Sequence, residues 1–133
     1  MTGLDTKKID SYGDELFSAL RDVHTVEPLT DREADISIAD AYAISSRLLQ
    51  NRIDDGERLI GKKIGVTSAA VQTMLGVDQP DFGYLTDAMV VEEGEALSVS
   101  SKMIQPRAEG EIAFVLKKDL VGPGITAAEV LQA

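Results

Sequence analysis

The strongest structural signal in this 133-residue chain is the segment QPRAEGEIAFVL at residues 105–116. Two carboxylates followed by an apolar run predict a β-strand over 109–117. Side chains two residues apart on a strand leave the same face, about 7 Å apart along the backbone, so Glu109 and Glu111 would share one face. Three apolar residues would anchor the opposite face in a core: Ile112, Phe114 and Leu116.

Two carboxylates on one face of a strand can converge on a single cation. Magnesium and manganese prefer such hard oxygen ligands and keep coordination positions for water or substrate. The alternative interpretation is a half-buried strand whose glutamates, Glu109 and Glu111, simply face solvent. The spacing alone leaves both interpretations open.

Composition restricts the class of protein. An apolar fraction of 44% with charges of both signs predicts one folded, soluble domain. The net charge of −10 disfavours nucleic acid and anionic membrane surfaces as partners. The absence of cysteine excludes disulfides and thiolate metal sites. With neither a secretory signal nor an apolar run of about 20 residues, the sequence predicts a cytoplasmic protein.

The first part of the chain, residues 1–57, has helical periodicity. Apolar residues recur at helical spacing over 5–21, and a connecting loop with Pro28 is predicted over 23–32. The sequence Ser37-Ile38-Ala39-Asp40 has the form of a capping box and predicts the start of a second helix that ends near Gly56. Both helices are interpreted as packing elements.

The second part, residues 58–133, is predicted to be β-rich, and both parts together form one domain. A glycine-punctuated strand is expected over 59–67, and Ser68 would cap a short helix ending at Gly76. Residues 78–83 have the composition of a turn. Further predicted elements are strands at 88–91 and 96–99 and a helix opened by the capping box at 126–129.

Three residues outside the glutamate pair have side chains that could carry chemistry. Lys63, in the glycine-punctuated strand, could donate a proton or anchor a carboxylate, or could be an ordinary solvated lysine. Asp81, in the predicted turn, could act as a general base or simply form the turn. Arg107 shares the predicted face of Glu109 and Glu111, where it could bind substrate or pair with one of them.

Three motifs in this order resemble the 2-oxopent-4-enoate (2-hydroxypenta-2,4-dienoate) hydratase family of the fumarylacetoacetate hydrolase superfamily. They are GKKIGVTS at 61–68, QPDFGYL at 79–85 and the segment at 105–116. The similarity extends over nearly the whole chain. It implies an α+β fold in which N-terminal helices precede part of a mixed, barrel-like β core.

The resemblance also implies a reaction and a site. Family members hydrate 2-hydroxypenta-2,4-dienoate to 4-hydroxy-2-oxopentanoate in the meta-cleavage degradation of aromatic compounds. Glu109 and Glu111 match the metal-binding E-x-E of the family, with Mg²⁺ or Mn²⁺ as the implied ion. Lys63 and Asp81 match active-site residues. The implied partners are a small 2-oxo acid or dienoate, further copies of the chain in a homo-oligomer, and 4-oxalocrotonate decarboxylase.

The chain departs from the family pattern in its length. Family members are longer and have a third carboxylate ligand beyond the E-x-E strand, so this chain is expected to correspond to their N-terminal half, with exposed strand edges. Two alternatives to a hydratase remain open: 4-oxalocrotonate decarboxylase, and a non-catalytic fragment or interaction subunit. Asp81 favours the hydratase, because the decarboxylases of the superfamily have an apolar residue in that turn.

Overall fold

The computed structural model describes residues 3–133 and contains both helices and strands. The two strands pair in one small antiparallel sheet, and the helices precede, separate and follow them. This arrangement confirms the mixed helix and strand content predicted from the sequence. The elements are α1 (Thr6–Arg21), α2 (Leu29–Arg32), α3 (Ile38–Asp54), β1 (Leu59–Gly65), α4 (Ala69–Leu75), β2 (Asp81–Thr86), a 3₁₀ turn (Asp87–Met89), α5 (Val99–Lys102) and α6 (Ala127–Gln132).

The helix starts follow local capping signals. Asp5 caps α1 by accepting a hydrogen bond from the Lys8 backbone N–H. Ser37 and Asp40 form the predicted capping box at the start of α3, where each side chain accepts a hydrogen bond from the backbone N–H of the other residue. These bonds satisfy amides that have no partner within the helix. The predictions of both helices are therefore confirmed.

Helices α1 and α3 pack closely against each other. Ala19 of α1 and Ile44 of α3 are the two buried apolar residues of the described chain. Gly13 allows the close approach, because a Cβ atom there would lie 2.4 Å from Cγ of Arg47. Arg47 in turn pairs with Asp14 at 2.7 Å across the helix interface. The helical pair forms a base against which the sheet is held.

The two strands form an antiparallel ribbon with two different faces. Phe82 and Tyr84 lie on one face, opposite Ile64 and Lys62 respectively. This face is turned to α3, where the ring of Tyr42 stacks on Phe82 with a centroid distance of 4.7 Å. The other face is therefore directed away from the aromatic contact with α3.

A buried polar network joins the helical pair to the end of β2. Glu57 accepts hydrogen bonds from Arg52 Nε at 2.8 Å, from Arg21 Nη2 at 2.5 Å and from the hydroxyl of Thr86. Thr86 is fully buried, and Arg52 also donates to its hydroxyl oxygen at 3.1 Å. The network fixes the ribbon relative to α1 and α3.

The strands predicted at 88–91, 96–99 and 109–117 are wrong for this structure. Residues 88–99 include part of the 3₁₀ turn and the first residue of α5, and residues 109–117 have no regular structure. Ile112 and Phe114 are each 82% exposed, and Leu116 is also exposed, so their predicted burial in a core is wrong as well. The physical reason is that a strand needs a partner for its backbone groups, and within residues 3–133 none pairs with these segments.

Two smaller predictions also need correction. The predicted loop over 23–32 contains the short helix α2, and the predicted turn over 78–83 is shorter, because Asp81 already begins β2. The helix capped by Ser68 and ended by Gly76 is confirmed; Gly76 adopts the left-handed conformation, with φ 69°.

No helix in residues 3–133 is long and apolar enough to cross a membrane.

Candidate functional site

The two glutamates of the E-x-E motif converge on one lysine. Lys63 Nζ lies 2.8 Å from Oε2 of Glu109 and 2.6 Å from Oε1 of Glu111. Strand β1 supplies the lysine, and an irregular segment far along the chain supplies the carboxylates. All three side chains are exposed. The glutamates therefore share one side of their segment, as the sequence predicted, although that segment is not a strand.

The ion pairs change the acid–base properties of these groups. Hydrogen bonds to Glu109 and then to Glu111 raise the pKa of Lys63 well above its ordinary value. The hydrogen bond from Lys63 lowers the pKa of Glu109, and the positive charge of Arg107 adds a smaller effect in the same direction. Lys63 is accordingly a cation in this arrangement. It is suited to donating a hydrogen bond, and the raised pKa means that it holds its proton more tightly than an ordinary lysine.

Asp81 lies on the same face of the ribbon as Lys63. In the strand register Asp81 is opposite Gly65, and Lys63 is two residues before Gly65 on the same strand. Residues with this diagonal relation lie about 7–8 Å apart on one face. The structure thus places Asp81 on the same ribbon face as Lys63, the face directed away from the aromatic contact with α3.

Gly65 leaves the space that the Asp81 carboxylate occupies. A Cβ atom at position 65 would lie 2.5 Å from Oδ1 of Asp81, closer than such atoms approach. We expect Gly65→Ala to displace this carboxylate, because the added methyl group would occupy its position. A shift of the side-chain carboxyl resonance of Asp81 in NMR spectra would measure the effect.

Gly61→Ala provides the matched control for this prediction. It makes the same substitution on the same strand, but its Cβ atom would meet only Leu85 Cδ1, at 4.0 Å. The control should leave the Asp81 resonance in place. Equal shifts in both variants would show that glycine in β1 matters for the strand and not for Asp81.

The glutamate pair has the donor atoms that a divalent ion requires. Its donors are the hard carboxylate oxygens that magnesium and manganese prefer, and they already surround one cationic centre, the ammonium group of Lys63. Residues 3–133 contain no cluster of three His, Cys, Asp or Glu side chains that could hold a metal ion. Two carboxylates would fill only part of the coordination shell of such an ion, which commonly keeps water or substrate in its other positions.

Tyr42 of α3 contacts the start of β2, the strand that carries Asp81. The Phe82 backbone N–H donates a hydrogen bond to its hydroxyl oxygen at 3.3 Å, and the two rings stack. Phe82 follows Asp81 directly, so Tyr42 holds the start of β2 in place. The two residues are 40 positions apart in the chain, and no local pattern signals such a contact.

No family model matches the chain, but several curated proteins are similar to it. The chain is 65% identical over 130 residues to a 2-hydroxypent-2,4-dienoate hydratase of Pseudomonas putida, and the match covers 98% of this chain and 59% of that protein. The chain is a homologue of the dienoate hydratases. A 2-hydroxyhexa-2,4-dienoate hydratase of Comamonas testosteroni is 55% identical, with coverages of 97% and 49%. A 2-keto-4-pentenoate hydratase of Paraburkholderia xenovorans strain LB400 is 46% identical, with coverages of 89% and 44%.

The structural comparison gives a related result for this hydratase homologue. The structure is similar to the 4-oxalocrotonate decarboxylase of Pseudomonas putida G7 complexed with magnesium and adipate, with a TM-score of 0.63 and 25% identity. The match covers 66% of this chain and 34% of that protein. The chain spans about half the length of the curated relatives that it matches.

Proposed function

We propose that this chain carries part of the active site of a metal-dependent 2-hydroxypenta-2,4-dienoate hydratase, whose product is 4-hydroxy-2-oxopentanoate. The observation that carries this proposal is the 65% identity to a hydratase of that substrate over 130 residues. The convergence of Lys63, Glu109 and Glu111, with Asp81 on the same face, supports it independently. The meta-cleavage degradation of aromatic compounds is the proposed pathway.

Glu109 and Glu111 are the proposed ligands of a divalent ion, Mg²⁺ or Mn²⁺. The structural relative that is complexed with magnesium supports a divalent ion in general. When bound, such an ion would polarise the C2 carbonyl of a 2-oxo acid and offset negative charge that develops there. The same charge would attract an anionic substrate to a chain whose net charge is −10.

Lys63 and Asp81 are the proposed proton-handling pair. Hydration of a conjugated 2-oxo acid requires a proton to be delivered at carbon and a water molecule to be oriented at the distal end of the double bond. Lys63 is protonated here and is assigned the donor role, and Asp81 on the same face is assigned the acceptor role toward water. Arg107, whose charge acts on Glu109, is proposed to bind the substrate carboxylate.

Replacement of Lys63 by alanine tests its role separately from metal binding. We expect Lys63→Ala to lower turnover by about 100-fold or more, because the proton donor is lost. Affinity for Mn²⁺ should stay the same or rise, because the ammonium that occupies the space between the carboxylates is gone. A variant that loses metal affinity but keeps turnover would give Lys63 a structural role instead. Lys62→Ala, one residue earlier and on the opposite face, is the control.

The direct test is the loss of ultraviolet absorbance of 2-hydroxypenta-2,4-dienoate in the presence of the purified chain and Mg²⁺ or Mn²⁺. EDTA should abolish the reaction, and the product should be 4-hydroxy-2-oxopentanoate. Formation of 4-hydroxy-2-oxopentanoate by the chain in the presence of EDTA would contradict the proposed chemistry. If the chain binds divalent ions but turns nothing over, it is a non-catalytic fragment or interaction subunit, the alternative left open by the sequence.

A second candidate activity is 4-oxalocrotonate decarboxylation, favoured by the structural relative with that name. The sequence identity between this chain and that decarboxylase is 25%, well below the 46–65% that the chain shares with the three hydratases. Asp81 also favours hydration, since an acidic group there can orient water. Release of carbon dioxide from 4-oxalocrotonate, with the dienoate untouched, would replace the first proposal by the second.

The remaining predictions belong to the same proposal. They are completion of a barrel-like core around the ribbon, a division of the domain into 1–57 and 58–133, assembly as a homo-oligomer, association with 4-oxalocrotonate decarboxylase and a cytoplasmic location. The buried network around Glu57 supports treating the two parts as one domain, because it joins α1 and α3 to β2. Sedimentation of the chain alone and mixed with the decarboxylase would test the two assemblies.

A further inference from the structure

Val66, the residue directly after β1, has a strained backbone conformation. Its φ is 54°, in the left-handed region. A β-branched side chain is crowded there, because its Cβ atom lies too close to the carbonyl oxygen that follows. Strain of this kind persists only where surrounding contacts hold the backbone in place. The conformation of Val66 therefore depends on a contact from another part of the chain.

The side chain of Gln72 supplies this contact. Its amide Nε2 donates a hydrogen bond to the Val66 carbonyl oxygen at 2.9 Å. Gln72 is half-buried on α4, and its own backbone N–H donates to the carbonyl of the capping residue Ser68 at 3.0 Å. The short helix thus holds the donor against the carbonyl of the strained residue.

Gln72 also bonds to the segment that leads into β2. Its carbonyl oxygen accepts a hydrogen bond from the Val77 backbone N–H at 3.0 Å. Val77 lies in the short connection between α4 and Asp81, the first residue of β2. Gln72 therefore bonds to the chain on both sides of α4, to the end of β1 through its side chain and to the approach to β2 through its backbone.

The two segments held by Gln72 meet at Gly65 and Asp81. These residues are opposite each other in the strand register. The Asp81 carboxylate lies over Gly65, in the space that a Cβ atom at position 65 would fill. Gly65 and Val66 share one peptide unit, so a change in the Val66 backbone would tilt the surface against which this carboxylate lies.

We propose that Gln72 is a positioning residue, which sets the place of the Asp81 carboxylate by holding Val66 in its left-handed conformation. The inference rests on the proposed function, which gives Asp81 the acceptor role toward water. Position is critical for such a group, since a displacement of about 1 Å can cost about 100-fold in turnover. Gln72 acts through Val66 and Gly65 and takes no part in the reaction itself.

Gln72→Leu in the full chain tests this role, because it removes the donor and keeps a side chain of similar bulk. The side-chain carboxyl resonance of Asp81 in NMR spectra should shift as the end of β1 relaxes. Gln50→Leu is the matched control, since the Gln50 side chain also donates a hydrogen bond from a helix, to Oδ1 of Asp54 at 2.8 Å. It should leave the Asp81 resonance in place. Circular dichroism checks that both variants fold, and an unmoved resonance in folded Gln72→Leu overturns the inference.

Val66→Gly separates positioning from a general role of Gln72 in the packing of α4. Glycine adopts the left-handed conformation without the steric penalty of valine, so the turn no longer depends on the Gln72 amide. The resonance of Asp81 in the double variant, Gln72→Leu with Val66→Gly, should therefore coincide with that in Val66→Gly alone. If Gln72→Leu shifts the resonance equally in both backgrounds, Gln72 acts on α4 and the inference is overturned.

Kinetics distinguish this inference from the proposed function. If the unchanged chain hydrates the dienoate, Gln72→Leu should lower kcat by up to about 100-fold and leave KM nearly unchanged, because Asp81 is assigned to the reacting water. A displaced and rescued resonance with unchanged kcat would support Gln72 as a positioning residue and remove Asp81 from the proposed chemistry. If the unchanged chain turns nothing over, the proposed activity of the chain fails, and the two NMR comparisons still decide the role of Gln72.

Discussion

Glutamine in place of Glu109 or Glu111 is expected to lower the affinity for Mn²⁺ more than any other single substitution in the chain. Glutamine has nearly the same shape but removes one negative charge and leaves a weaker oxygen ligand. Loss of a group that merely orients a ligand costs roughly 10- to 100-fold in metal affinity, so loss of a ligand itself should cost at least as much. Titration with Mn²⁺ followed by electron paramagnetic resonance measures the free ion directly. Dienoate turnover should fall below detection in both variants.

Glu93→Gln is the control for these two variants. It removes the same charge from an exposed glutamate in the loop before α5, away from the Lys63 cluster. Its Mn²⁺ affinity should stay close to that of the unchanged protein, apart from a small effect of net charge. Equal weakening in all three variants would mean that the ion responds to overall charge, and the glutamate pair would no longer be the proposed ligand set.

The structure brings together three residues that the sequence singles out, although it lacks the strand predicted around two of them. Short motifs with characteristic residue types indicate Lys63, Glu109 and Glu111. Their meeting joins positions 48 residues apart, from Lys63 to Glu111. Glu109 and Glu111 lie on the same side wherever the backbone between them is extended. Their placement therefore does not depend on the predicted strand.

Elements with local causes were predicted, whereas among the elements that need a distant partner β1 was predicted and the strand at 109–117 was wrong. The capping residues Ser37 and Ser68 marked helix starts because a cap bonds to an amide two or three residues away. The strand at 109–117 had a suitable composition, but a strand is stable only when another backbone accepts its hydrogen bonds. No local pattern predicts the contact between Tyr42 and Phe82, for the same reason.

Glu57→Gln is expected to reduce the free energy of unfolding by about 2–3 kcal/mol at neutral pH, the cost of leaving buried charged partners without their counter-charge. The Glu57 side chain is only 8% exposed, and its two oxygens hold Arg21, Arg52 and Thr86. Denaturant unfolding at neutral pH measures the change. Asp55→Asn is the control, because Asp55 binds the same Arg21 but is 57% exposed, so its removal should cost under about 1 kcal/mol.

The effect of Glu57 should also depend on pH in a predictable direction. Burial raises its pKa, but hydrogen bonds from Thr86, Arg21 and Arg52 together outweigh burial, so the pKa is lowered on folding. An acid whose pKa is lowered on folding stabilises the protein at pH values above its unfolded-state pKa, which is about 4.3 for glutamate. This stabilisation is lost as the pH falls through the folded-state pKa. The difference in stability between the unchanged protein and Glu57→Gln should therefore be full at pH values near 7 and shrink in acid. A difference that stays constant down to about pH 3 would show that the glutamine acts through packing rather than through the lost charge.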